Sequence, residues 1–248
     1  MPATPAWPPK SSPRLFVADA LATGRFLTLE GNQANYLGRV MRVSEGDAVI
    51  LCDDVTGEWA SRVTQVAKRQ VDLEVEERLR PREAVPDIWL CPALLKKDRF
   101  DLVLEKATEL GAGQLHPVLL RRCVATSLNA DRARAIVTEA AEQCARTALP
   151  ALAEPRRLDA MLRDWPADRT LFFADEEGGA PAADSFAADP GPAALLIGPE
   201  GGFDPAEREA VRACPRAVPI TLGPRILRAE TAAIAALSVW MASVGDWA

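Results

Sequence analysis

Histidine, lysine and long apolar runs are all scarce in this chain. His116 is the one histidine in 248 residues, which removes histidine-based triads and histidine-rich metal centres from consideration, so no metal is expected. It stands in the apolar run QLHPVLL and reads as a structural residue at a strand end. Cys52, Cys91, Cys123, Cys144 and Cys214 are scattered with no CxxC spacing. Neither a disulfide framework nor a zinc site is expected, and reduced thiols suit a cytoplasmic protein. Apolar residues make up 48% of the chain, yet no run approaches the roughly 20 residues of a membrane span. MPATPAWPPKSSPR lacks the apolar centre of a signal peptide and is expected to be a disordered lead over residues 1–13.

Net charge excludes less. The total is −6, but residues 1–80 hold 10 basic and 11 acidic groups, 81–150 hold 10 and 9, and 151–248 hold 9 and 15. The acid excess lies in the last segment, so a basic face elsewhere stays open. Only five of the 29 basic residues are lysine. Arginine makes planar bidentate contacts with phosphates and bases, but a GC-rich genome produces the same bias.

What the chain does have is a pair of glycine-proline loops near its end, in LLIGPEGGFDPAE (195–207) and ITLGPRILRAETAAIAAL (220–237). Each follows a strand-like apolar run and feeds a helix-like one, so the two can form adjoining walls of one small-molecule pocket. Neither is a P-loop, since no Gly-Lys-Ser/Thr follows, and neither is GxGxxG. Gly198, Gly201 and Gly202 permit positive φ and close approach of a ligand to the backbone. Glu200 can meet a ligand hydroxyl or accept from nearby loop amides. Leu222, Gly223, Ile226 and Leu227 offer a turn and apolar walls. Arg225 and Arg228 supply charge, with Arg228 either functional at the mouth of the last helix or paired with Glu230 or Glu200.

From Arg14 to Leu79 the pattern is short strands: RLFVAD, RFLTL, DAVILCD, EWASRVTQVA and QVDLEVEERL, broken by turns such as Glu45-Gly46-Asp47. NQANYLGRVMRV between them reads as a short helix, and Arg39 and Arg42, three apart, share a face. A small barrel over 14–80 is expected. PREAVP (81–86) reads as a linker, and 87–248 as an α/β domain. In that domain DIWLCPALL, QLHPVLL, TLFFAD and AALLIG are strand candidates. Asp98 is placed as N-cap of DRFDLVLEKATEL, which stops at Gly111, and Asp204 as N-cap of DPAEREAVRAC. DRARAIVTEAAEQCARTAL is expected as a helix carrying Gln143 and Arg146 on one side, with Glu142 and Arg146 spaced i,i+4. AETAAIAALSVWMASV closes the chain, and 176–193 is read as a surface loop.

With RLFV, ANYLGRVMRVSEGD, LLKKDRFDLVLEKATELGAGQLHPV, EAAEQCAR, LLIGPEGGF and LGPRILRAETAA in order, the chain resembles the ribosomal RNA small subunit methyltransferase E family of knotted (SPOUT) methyltransferases. The resemblance implies a PUA-like β-barrel followed by an α/β domain with a deep trefoil knot. It implies S-adenosyl-L-methionine as methyl donor, N3 of one uridine in the decoding region of 16S rRNA as acceptor, and a homodimer acting on the small (30S) ribosomal subunit. Carried onto this sequence, the cofactor loops are Ile197, Gly198, Pro199, Glu200, Gly201 and Gly202, then Leu222, Gly223, Ile226, Leu227 and Arg228. Arg228 is the expected catalytic residue. Arg14, Arg39, Arg42, Gln143 and Arg146 are the expected RNA contacts. Tyr36, Ala148 and Ala229 depart from the family pattern, which often has histidine, a basic residue and threonine there. The proton acceptor stays open among Glu142, Glu200, Glu230 and water. Two rival readings are a knotted methyltransferase acting on tRNA or a ribose hydroxyl, and an RNA-binding assembly factor with a vestigial pocket.

Overall fold

A computed structural model describes residues 7–248, so the first six residues of the expected lead lie outside it. The chain divides into two compact units, 1–84 with 141–148, and 85–140 with 149–248. The eight-residue stretch Ala141–Ala148 therefore belongs with the N-terminal strands, although the sequence placed it in the later domain.

In the first unit β1 (Arg14–Phe16), β2 (Phe26–Glu30), β3 (Ala48–Cys52), β4 (Gly57–Ala67) and β5 (Gln70–Pro81) form one five-stranded sheet in the order β1-β3-β4-β5-β2. Only the β1–β3 pair is parallel. Three register shifts between β4 and β5 bend the ladder around a core of Leu37, Val49, Leu51, Val63, Leu73 and Val75. The helical stretch is α1 (Gly31–Asn35) followed by a π-helical turn, Tyr36–Met41. Arg42 lies past that turn with φ 55, so regular helical spacing does not pair it with Arg39, although both side chains are exposed. Trp7, in the expected lead, has its ring 3.9 Å from the Arg62 guanidinium.

The β3–β4 bend is organised by Asp53. One carboxylate oxygen accepts the N–H groups of Val55 (3.0 Å), Thr56 (2.7 Å) and Gly57 (3.2 Å). The other accepts Leu21 N–H (2.9 Å) and the Thr56 hydroxyl (2.7 Å). Burial by itself raises this carboxyl, but the Thr56 hydroxyl and the backbone N–H bonds outweigh it and hold the group at about 2, below its ordinary 3.8. The bonds therefore stabilise the fold above about pH 4 and fade as pH falls toward 2. Asp53→Asn turns an amide NH2 toward N–H donors and is expected to cost about 1–3 kcal/mol at pH 7. Thermal melts at pH 7 and pH 2 test this, since the difference from wild type should shrink at the lower pH.

The second unit carries a seven-stranded sheet in the order β12-β14-β11-β13-β6-β7-β9, every pair parallel. Along the chain its first half is β6 (Ile88–Pro92), α2 (Lys97–Glu109), β7 (Gln114–Leu115), β8 (Val118–Leu119), α3 (Ala130–Cys144, whose last four residues fall in the first unit), β9 (Ala151–Leu152), β10 (Arg156–Arg157) and α4 (Leu158–Arg163). The second half is β11 (Thr170–Ala174), β12 (Ala180–Pro181), α5 (Ala182–Ala188), β13 (Ala193–Ile197), α6 (Pro205–Arg212), β14 (Ala217–Thr221) and α7 (Ala229–Val244). β6, β11 and β13 are continuous apolar runs because both sheet faces are covered. Leu90, Phe172 and Leu195 join α2, α5 and α7 in one core. Cys91, Leu171, Phe173 and Leu196 join α4 and α6 in the other.

Three expectations need correction here. The stretch 176–193 is not a loop: it contains β12 and α5. Alanine favours helix in AADSFAA, and Phe186 is fully buried with its ring edge-on to Phe172 at 4.9 Å. Asp98 does not cap α2, whose N-cap position is Lys96; it lies in the first turn, where a carboxylate suits the helix dipole. The long helix ends at Cys144, because Ala145 takes φ 61. Arg146 thus lies beyond α3 and shares no helical face with Gln143. Asp204 caps α6 as expected, within a capping box with Glu207 and with Pro205 at the first turn.

His116 is also structural. It stacks on Trp89 at 4.3 Å, with Nε2 2.8 Å from Gln114. Burial, then the Arg169 and Arg156 charges, lower its pKa to about 4, so the ring is neutral at pH 7.

Candidate active site

Ligands of parallel α/β sheets bind beyond the carboxyl ends of the strands. β11, β13 and β14, with β11 in the middle, end at one cavity of about 380 Å³. This volume falls in the range of small-molecule sites, about 300–1,000 Å³. Ile197 to Gly202 after β13 form one wall, and Leu222 to Leu227 after β14 form another. The two glycine-proline loops thus share one cavity, and every residue expected to hold the cofactor lines it except Arg228.

The walls are built from local chemistry. Gly202 has φ 68, its N–H donates to Pro199 O at 2.9 Å, and an added Cβ would overlap the Glu176 carboxylate. At Gly198 a Cβ would stand 3.1 Å from the Phe203 ring, which fills the space beneath the loop. Arg122 lays its stem over Gly201 and donates to the Gly201 carbonyl at 2.7 Å. Arg121, beside it, donates to Asp204 at 2.9 Å through its guanidinium and to Glu207 at 2.8 Å through its backbone N–H. These bonds brace the first loop from the segment after β8.

A third wall was not foreseen. Ala174, Asp175, Glu176 and Gly178, after β11, line the cavity, as do Ala229 and Ala232 of α7. The Asp175 side chain is fully buried, 3.1 Å from Arg208 Nε and 2.6 Å from Arg212 Nη2. Arg208 also bonds Glu176, and Glu177 at 2.6 Å. The run ADEEGG at the end of an apolar strand carried the signal, an acid-rich, glycine-rich turn of the same kind as the other two loops.

Arg228 is the exposed N-cap of α7, between cavity-lining Leu227 and Ala229, and no acidic partner is recorded for it among the described residues. The acids read as its partners go elsewhere. Arg99 of α2 donates to Glu200 at 3.0 Å and lies 3.8 Å from Glu230. Arg225 is the arginine that lines the cavity.

The expected RNA contacts fall in the first unit and divide in two. Arg39, Arg42 and Gln143 are exposed. Arg14 donates to Glu58 at 2.5 Å, and Arg146 is buried with Glu83 3.5 Å away. Glu83, from the expected linker, also accepts the backbone N–H groups of Thr147 (2.9 Å) and Ala148 (3.1 Å). Ala148 is fully buried, and Ala229 is buried at the cavity wall. Glu142 accepts the Phe16 N–H at 2.8 Å. Among the described residues no group of histidine, cysteine or acid side chains has the geometry to hold a metal ion, and no helix is long and apolar enough to cross a membrane.

The family described as "RNA methyltransferase domain" matches residues 81–241, and "RNA methyltransferase PUA domain" matches 29–76. The chain is 31% identical over 250 residues to the ribosomal RNA small subunit methyltransferase E of Mycobacterium bovis, covering 94% of this chain and 95% of that protein. It belongs to that family. The Bacillus subtilis member is also 31% identical, over 85% of this chain and 88% of its own. The solved methyltransferase E of Neisseria gonorrhoeae, bound to S-adenosylmethionine, superposes with a TM-score of 0.87 at 27% identity, covering 96% of this chain and 100% of that one. The fold is accordingly that of the family, a PUA-like unit followed by an α/β methyltransferase domain.

Proposed function

We propose that this chain transfers a methyl group from S-adenosylmethionine to N3 of a single uridine in 16S rRNA of the small ribosomal subunit. The observation that carries this reading is the shared cavity, where the two glycine loops after β13 and β14, the strands flanking β11 in one sheet, face one space of about 380 Å³. The residues fit the cofactor. Gly198 and Gly202 leave backbone accessible where a side chain would collide, Ile197, Leu222 and Leu227 are apolar, and Glu176 and Glu200 are carboxylates for hydroxyl or ammonium groups. Bound there, the cofactor would supply an electrophilic methyl carbon.

The chain's own residues would then align the nucleotide and prepare its nitrogen. Uridine N3 is a weakly acidic imide that must lose its proton, leaving negative charge on O2 and O4. Arg228, exposed and without a recorded acid partner beside the second loop, would stabilise that anion, as oxyanion donors do. Base pairing occupies N3, so the uridine must be unpaired or flipped out. Arg39 and Arg42 would contact phosphates, being exposed and without recorded acid partners among the described residues. Arg14 and Arg146, committed to Glu58 and Glu83, would shape the first unit instead.

A homodimer in the cytoplasm belongs to the same proposal. α7 is apolar around its circumference, and Ile234, Ala235 and Val239 are only partly buried, as expected of a helix that packs against a further surface. The trefoil knot implied by the family stays part of this reading.

Two measurements test it. Calorimetry should detect S-adenosylmethionine binding; no binding would favour an assembly factor that merely holds RNA. Mass mapping of 16S rRNA from a deletion strain should find one N3-methyluridine missing, restored by adding the protein to small subunits. Loss of a ribose methyl or a tRNA mark instead would favour the rival methyltransferase reading.

A further inference from the structure

Glu230 is the second residue of α7, and only 8% of it is exposed. Its Oε2 is buried and has no hydrogen-bond partner, and its Oε1 lies 3.8 Å from Arg99 Nε, beyond normal hydrogen-bond length. A buried carboxylate oxygen left unpaired is costly, and such groups persist where something else requires them. The requirement is visible in what surrounds it. Ala229 and Ala232, on either side in α7, line the cofactor cavity. Through its other face Arg99 donates from Nη1 to Glu200 at 3.0 Å, and Glu200 is the acid of the first cavity loop.

We infer that Arg99 is a positioning residue that sets the width of the methyl-donor cavity by tying its two walls together. Arg99 stands on α2, which contributes no residue to the cavity lining. It reaches the first loop through Glu200 and the base of the second wall through Glu230, segments thirty positions apart in sequence. A guanidinium can serve two carboxylates at once because its donors point in fixed, divergent directions; an ammonium cannot hold both at a defined angle. With a 3.0 Å hydrogen bond to Glu200 and only electrostatic attraction to Glu230, the tie is strong at one end and loose at the other. Glu230 therefore stays held at the start of α7 by charge and by burial, and the cavity mouth keeps its spacing only while Arg99 is present.

This inference rests on the cofactor assignment above, and the test separates the two. S-adenosylmethionine affinity is measured by calorimetry for wild type, Arg99→Ala, Arg99→Lys and Glu230→Gln, beside melting temperatures. Arg99→Ala should weaken binding about tenfold, equivalent to about 1.4 kcal/mol, while turnover at saturating cofactor stays within about threefold. Arg99→Lys should recover part of the loss, and Glu230→Gln should weaken binding several-fold without unfolding. If Arg99→Ala or, should it fail to fold, both Arg99→Lys and Glu230→Gln bind within about twofold of wild type, the clamp is wrong. A wild-type protein that does not bind the cofactor overturns the functional reading itself.

Discussion

Replacing Arg228 with alanine is expected to lower turnover by about 10²–10³ while leaving cofactor affinity within about threefold. The split follows from position. Arg228 is exposed, caps α7 through its backbone, whose carbonyl accepts Ala232 N–H at 2.8 Å, and does not line the cavity. Its guanidinium lies outside the lining of the cavity proposed for the cofactor and would be free to meet the proposed acceptor nucleotide. In the proposed reaction, charge appears on O2 and O4 only as N3 loses its proton, so Arg228 would meet it most strongly in the transition state and the effect would fall on kcat. Single-turnover methylation of small subunits at saturating cofactor reads this directly. Wild-type rates would move the role to Arg225, the arginine of the same loop that does line the cavity.

Gly202→Val should weaken S-adenosylmethionine binding by about a hundredfold, with Gly201→Ala as its contrast, within about threefold of wild type. At Gly202 the backbone has φ 68, which costs a β-branched residue about 1–2 kcal/mol, and the new Cβ would overlap the Glu176 carboxylate. Displacing Glu176 also disturbs Arg208, which that carboxylate shares with Asp175 and Glu177. At Gly201 the nearest atom to an added Cβ is Arg122 Cβ at 3.4 Å, ordinary contact with a flexible stem. Calorimetry on the pair separates a loop that needs glycine for its geometry from one merely rich in it. Equal losses would mean that the loop's composition, not its φ angle, governs binding.

Much of the site could be read from local patterns. Ile197–Gly202 and Leu222–Leu227 declare themselves because glycine and proline after apolar strands have few other uses, and their short sequence separation implies adjacency. The third wall obeys the same logic, but Asp175 reads as the end of the strand TLFFAD, and Glu176 and Gly178 were lost inside 176–193, a stretch judged by its glycine, alanine, aspartate and proline content. One buried phenylalanine, Phe186, decides that α5 forms there, and burial is not a local property. Arg99 was out of reach for the opposite reason. Its pairing with Glu200 spans 101 positions, and nothing in KKDRFD distinguishes that arginine from its exposed neighbours. Gln143 and Arg146 were placed together by helical arithmetic that holds only while the helix continues, and Ala145 in the left-handed region ends it. Arg14 reads as a free cation in sequence because Glu58, its partner, lies 44 residues away across the sheet.

The fragment 141–148 carries a practical consequence for anyone exchanging parts among relatives. A chimera joined at a single point near residue 84 would inherit one ancestor's strands and another's strap, with Phe16 facing a foreign Glu142 position and Glu83 a foreign Thr147. Three crossover points, after residues 84, 140 and 148, are required to transplant the N-terminal unit whole.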